Sequence, residues 1–185
     1  LGQRAEALAG YDKAIQLNPD FAEAYCNRGN VLKEQGQLAE AMKSNETAIQ
    51  LNPDCTDAHW NSSLLLLLHG NFKKGFEEYE WRLKIKGKRY RDISIEWWTG
   101  SDLQEKNIVI YAEQGVGDEI MFSSCIPDLM KQPHNRIFLE CDPRLAPLFT
   151  RSFPNIHVHG KEKDPDFSWV GKHTHLDYSL PIGSL

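Results

Sequence analysis

Through the first half of the chain, apolar residues recur every three to four positions, the spacing that lines one face of an α-helix. Two such helices are expected at about Thr56 to His69 and Phe72 to Lys84. Their wide apolar faces carry Trp60, Leu64, Leu65, Leu67 and Leu68 on one and Phe72, Phe76, Tyr79 and Leu83 on the other. From Lys106 the pattern changes. Asn107 to Ala112 (NIVIYA) is a short unbroken apolar run, as expected of a buried parallel strand. A helix with an internal proline bend follows over Glu119 to Lys131, then a second strand at Arg136 to Cys141. Asp142 as N-cap and Pro143 in the first turn open a helix to about Phe153. Further strands are expected at Ile156 to His159 and Leu176 to Leu180. Such alternation predicts a parallel sheet with crossover connections. The chain therefore divides into a helical part at 1–88, a linker at 89–105 and an α/β part at 106–185.

The helical part repeats itself. Sliding the sequence by 34 residues lays Gly2, Gln3, Ala5, Glu6 and Ala7 over Gly36, Gln37, Ala39, Glu40 and Ala41, and AIQLNPD at Ala14 to Asp20 over the same seven residues at Ala48 to Asp54. In the best copy, Ala22 to Cys55, Tyr25, Gly29, Leu32, Ala41, Ala48 and Pro53 occupy distinctive positions. Gly29 and Ala41 are small where helices cross, Gly36 sits in the turn, and Pro53 ends the second helix because it lacks an N–H. This period and content resemble the tetratricopeptide-repeat (TPR) family, two antiparallel helices per unit, with about two and a half units here. The third copy is degenerate: Ser63, Gly75 and Arg82 stand where Gly29, Ala41 and Ala48 stood, as in a terminal repeat. The resemblance implies a helical solenoid with a concave groove for a protein or peptide partner, where Asn27, Asn30, Lys33 and Asn61 are the candidate contacts.

A net charge of −5 and a pI near 5.8 argue against a globally basic nucleic-acid binder. The longest aliphatic run, Leu64 to Leu68, is far short of the roughly 20 residues that span a bilayer. Cys26, Cys55, Cys125 and Cys141 lack CxxC spacing and fall in apolar-periodic segments, so they are expected as small buried hydrophobes in a reducing, cytoplasmic setting. Both ends look cut, suggesting a piece of a longer protein. Arg82, Lys84, Lys86, Lys88, Arg89 and Arg91 make a basic stretch best read as a solvated linker after a helix end, and Trp97 and Trp98 are expected to pin that linker. His157 with His159, and His173 with His175, share an HxH spacing but lack the companion ligands of a metal site, so no metal is expected. Gly160 to Lys172 is charged and Pro/Asp-rich, as in a surface loop.

The chemistry-bearing candidate is Glu113-Gln114-Gly115-Val116-Gly117-Asp118, between the first strand and its helix. Glycines 115 and 117 allow close backbone approach, and a helix start at Asp118 would offer free N–H groups. A tight βα turn explains the same residues. Together with Trp98-x-Gly100, NIVIYA and AEQGVGDEIMF, downstream of the repeats, the region resembles TPR proteins whose C-terminal part is similar to SPINDLY-type O-linked N-acetylglucosamine transferases and to lipopolysaccharide heptosyltransferases. That resemblance implies a GT-B enzyme with two Rossmann-like domains, of which the first begins here, and a nucleotide-sugar donor held by the second. No cofactor is expected in this piece. Asp118 would be the base that takes the acceptor hydroxyl proton, with Glu113, Gln114, Gly115 and Gly117 contacting the sugar acceptor. A helix N-terminus lowers a carboxylate's basicity, and a plain capping role for Asp118 is the rival. Two functions follow: a TPR-containing glycosyltransferase whose fragment is inactive alone, or a non-catalytic interaction scaffold.

Overall fold

The computed structural model describes residues 2–85, 93–161, 167–171 and 174–185. The chain forms two compact units, residues 1–89 and 90–185.

The described residues of the first unit form five α-helices: α1 (Gly2–Leu17), α2 (Ala22–Glu34), α3 (Leu38–Leu51), α4 (Thr56–Leu68) and α5 (Phe72–Tyr79). Its turns repeat with the sequence. Gly36 and Gly70, 34 residues apart, both adopt positive φ (78° and 76°), which lets Gln37 N–H reach Leu32 O and Asn71 N–H reach Leu66 O across the helix ends. Helix α3 stops at Leu51, just ahead of Pro53. Small residues pack the crossings: Ala41, Ala48 and Ala58 are fully buried, and Gly29 is buried where an added Cβ would lie 2.3 Å from Asn45 Oδ1. Leu32, Ala41 and Leu65 form one core cluster, with Leu8, Leu38 and Met42 against it; Cys26, Ala48 and Ala58 form a second, with Tyr25, Ile49 and Cys55 against it.

The third copy departs from expectation in three ways. Its second helix is α-helical only to Tyr79 and tightens to a 3₁₀ turn over Glu80–Lys84. Arg82, expected in a solvated basic stretch, is fully buried; its guanidinium donates to Tyr79 O (3.2 Å) and to the Glu80 carboxylate (2.7 Å) and lies 4.6 Å from the centre of the Tyr79 ring. Leu68, Phe72 and Phe76, expected in a buried face, are 68%, 61% and 46% exposed, whereas Leu65 and Tyr79 are buried. In α4 the run Leu64 to Leu68 points apolar side chains to nearly every side, more than the stripe its neighbours cover, which leaves Leu68 outside.

The second unit is a five-stranded parallel sheet in the order β1-β5-β2-β3-β4, comprising β1 (Glu96–Trp97), β2 (Asn107–Tyr111), β3 (Arg136–Cys141), β4 (His157–Gly160) and β5 (Tyr178–Pro181). The α/β expectation thus holds at the level of a parallel sheet. Strands β2, β3 and β4 step one way; β5 returns to the other side of β2, so the winding reverses between β2 and β5. Ile108, Ile110, Ile137 and Leu139 are fully buried, which explains the unbroken apolar runs. Trp97, placed in the linker by the sequence, belongs to edge strand β1 and is 39% exposed, while Trp98 Nε1–H donates to Ser101 O at 2.8 Å. The helix after β2 begins at Val116 rather than Asp118 and breaks up around Pro127 into α6 (Val116–Phe122), a 3₁₀ turn at Ser123–Cys125 and α7 (Ile126–Leu129). Helix α8 (Ala146–Ser152) starts later than expected. Asp142 caps a preceding turn instead, its carboxylate accepting the Arg144 N–H at 2.9 Å.

Candidate functional site

In the helical unit, the four groove candidates fall on two first helices, Asn27, Asn30 and Lys33 on α2 and Asn61 on α4. The structure joins two of them: Lys33 Nζ donates to Asn61 Oδ1 at 2.7 Å, one repeat to the next. Partial burial pushes the Lys33 ammonium's pKa down, because a charged group loses hydration there. Asn61 is buried, Asn27 half-buried and Asn30 exposed, so the row presents polar atoms at graded depth. The asparagine amides both donate and accept hydrogen bonds, whereas the Lys33 ammonium only donates.

In the α/β unit, a cleft of about 400 Å³ opens at the carboxyl ends of β2, β3 and β4, lined by Ala112, Glu113, Gln114, Glu119, Asp142, Pro143 and Lys161. Parallel strands deliver it: Ala112, Asp142 and Lys161 are the residues that immediately follow those strands. Open α/β sheets bind ligands at this edge. Glu113 Oε1 accepts the Gly183 N–H at 3.2 Å, bridging the place where the winding reverses. Glu119, only 3% exposed, accepts the Asp142 N–H at 2.7 Å, and burial pushes its carboxyl pKa up. Asp142 is held down to about 2, chiefly by the Arg144 guanidinium, whose Nε and Nη2 both donate to it at 2.9 Å. Gly160 gives the floor its close fit: a Cβ there would sit 3.0 Å from Pro143 Cα.

Of the loop candidates, Glu113 and Gln114 line this cleft; Gly115, Gly117 and Asp118 are not among its lining residues. Asp118 is the third residue of α6, and its Oδ2 accepts the Gly115 N–H at 3.1 Å while its own N–H donates to Gly115 O. That is a capping contact. Glu119 and Lys161 were not expected at a site from the sequence, and Asp142 was expected only as a helix cap, although the positions of Asp142 and Lys161 just past strand ends were a usable signal.

Among the described residues no group of His, Cys, Asp and Glu is arranged to hold a metal ion. His157 stacks on Phe138 and His159 on Trp169 (ring centroids 5.0 and 4.4 Å apart), so Trp169, expected in a surface loop, covers a sheet face. Among the described residues no helix is long and apolar enough to cross a membrane. His173, Lys86, Lys88, Arg89 and Arg91 lie outside the described residues.

Residues 1–36 match the family described as TPR repeat, and residues 22–55 match the tetratricopeptide repeat. The hairpins over residues 1–55 are therefore tetratricopeptide repeats. Protein FlbA of Caulobacter vibrioides is 32% identical over 166 residues, which cover 85% of this chain and 28% of FlbA. The chain spans less than a third of that relative's length, and a match of this extent runs from the repeats into the α/β unit. Among solved structures, the Arabidopsis OM64 TPR domain is similar at 20% identity and a TM-score of 0.43, covering 48% of this chain and 73% of that one. The first TPR of Spaghetti (RPAP3), bound to an HSP90 peptide, is similar at 20% identity and a TM-score of 0.44, covering 48% and 71%.

Proposed function

We propose that the repeat unit is a protein-interaction scaffold that binds an extended peptide along α2 and α4. The observation that carries this reading is the Lys33–Asn61 hydrogen bond, which aligns polar side chains of successive first helices into one row with Asn27 and Asn30. Asparagine amides placed one repeat apart can each pair with a peptide's backbone N–H and C=O, so binding requires shape and extension more than one side-chain sequence. Screening the chain against a peptide array and measuring the best binder by fluorescence anisotropy tests it. Asn27→Ala and Asn61→Ala should each weaken binding about tenfold, the value of one or two peptide hydrogen bonds. Unchanged affinity in both variants would refute the groove assignment.

The α/β unit supports a second reading: the Rossmann-like, acceptor-side part of a GT-B transferase that draws on a nucleotide-sugar. The cleft favours it, since a hydroxyl-bearing acceptor suits a lining of carboxylates, an amide and one ammonium at the carboxyl edge of a parallel sheet. In that reading the acceptor hydroxyl loses its proton to a carboxylate as the sugar–phosphate bond breaks. Asp118 is the base implied by family resemblance, and its Oδ2 accepts the Gly115 N–H. Titrating the chain with neutral sugars while following amide NMR shifts is the test. Movement at Gln114, Asp142 and Lys161 supports an acceptor subsite; amides unmoved by every sugar leave the scaffold reading alone.

A further inference from the structure

The repeat unit carries two cysteines whose placement neither reading uses. Cys26 is 5% exposed on α2, in the core cluster with Ala48 and Ala58; Cys55 is half-buried, packs against that cluster and forms the N-cap of α4. Burial and the neighbouring Cys55 thiol both push the Cys26 pKa up. Both are free. They therefore share one core cluster, Cys26 on α2 and Cys55 at the start of α4, the two helices that the Lys33–Asn61 hydrogen bond also joins.

We propose that Cys26 and Cys55 form a redox clasp, a dithiol that a hydroperoxide closes to a disulfide tying α2 to α4 under the peptide groove. Cys55, the more accessible sulfur, reacts first: its thiolate attacks the peroxide oxygen, the O–O bond breaks, and an alcohol, or water from hydrogen peroxide, leaves with the proton. The resulting sulfenic acid is attacked by the Cys26 sulfur. The new S–S bond forms as the S–O bond breaks, and water carries away the hydroxyl with the Cys26 proton. Both sulfurs are oxidised and one peroxide is reduced. Burial pushes the Cys26 thiol up to about 12, which suits a second, resolving role and not the first attack.

Cys125 and Cys141, in the α/β unit, are internal controls. The chain is treated with a small excess of hydrogen peroxide, the remaining thiols are alkylated, and peptides are mapped by mass spectrometry. The expected result is a fall from four alkylatable thiols to two, a linked Cys26–Cys55 peptide, and full recovery with dithiothreitol. Cys55→Ser should leave Cys26 reduced under the same treatment, with circular dichroism confirming its fold; the wild-type peptide map decides the matter even if that variant misfolds. Recovery of Cys55 as sulfinic acid with Cys26 still alkylatable, or linkage to Cys125, to Cys141 or between chains, would overturn the proposal.

Discussion

Gly29→Ala and Gly10→Ala are the same chemical change on neighbouring helices, yet the structure assigns them opposite signs. Gly10 lies exposed in α1, and a Cβ added there meets nothing within 4 Å. Replacing a mid-helix glycine with alanine in open space gains about 1 kcal/mol of helix propensity. Gly29 offers the same gain, but its Cβ would lie 2.3 Å from Asn45 Oδ1, 3.0 Å from Asn45 Cγ and 3.2 Å from Ala41 O. Asn45 is fully buried and cannot swing aside, so α2 and α3 must separate, an overpacking cost of about 2–3 kcal/mol. The net expectation is a loss of about 1–2 kcal/mol at Gly29, a Tm decrease of roughly 4–16 °C for a unit of this size. Thermal unfolding followed at 222 nm reads both variants. Because the closest atoms belong to Asn45, Gly29→Ala combined with Asn45→Ala should recover about 1 kcal/mol beyond additivity. A Gly29→Ala chain as stable as wild type, or a double mutant that is merely additive, would refute the close-crossing account.

Three further outcomes follow from the same geometry. Asn45 stands one repeat from both Tyr11 and Tyr79, and neither of its amide atoms has a hydrogen-bond partner among the described residues; Asn45→Ala, which removes both unpaired atoms without crowding Gly29, should therefore leave the repeat unit within about 1 kcal/mol of wild type in urea titration. Glu119 has its folded-state pKa raised by burial, so its stabilising contribution is full below the unfolded value and lost as pH rises through the folded one; Glu119→Gln should match wild type near pH 4 and exceed it near pH 8. Asp142 runs the opposite way, with stability present above the unfolded carboxylate value and lost as pH falls towards about 2; Arg144→Ala should return its titration, followed by carbon NMR, towards the usual range near 3.8.

Two features were legible in the sequence because each depends on residues a few positions apart. The 34-residue period gave the hairpins, their glycine turns at Gly36 and Gly70 and the close crossing at Gly29. The apolar runs of β2 and β3 announced buried parallel strands. Burial of Arg82 and exposure of Phe72 and Phe76 were not legible, since apolar periodicity identifies a face without saying what covers it.

The cleft belongs to the other class. Glu119 and Asp142 are 23 residues apart and meet only because β2 and β3 pair in one register, with Asn107 beside Arg136, which brings α6 against the end of β3. Lys161 joins them by the same logic through β4. Cys26 and Cys55 likewise share a core cluster only when successive first helices stack. The linear order thus determined the repeats, turns and strands of this protein, whose energetics are local; the companions of its carboxylates and thiols were decided by strand register and helix stacking, which sum over contacts between distant segments.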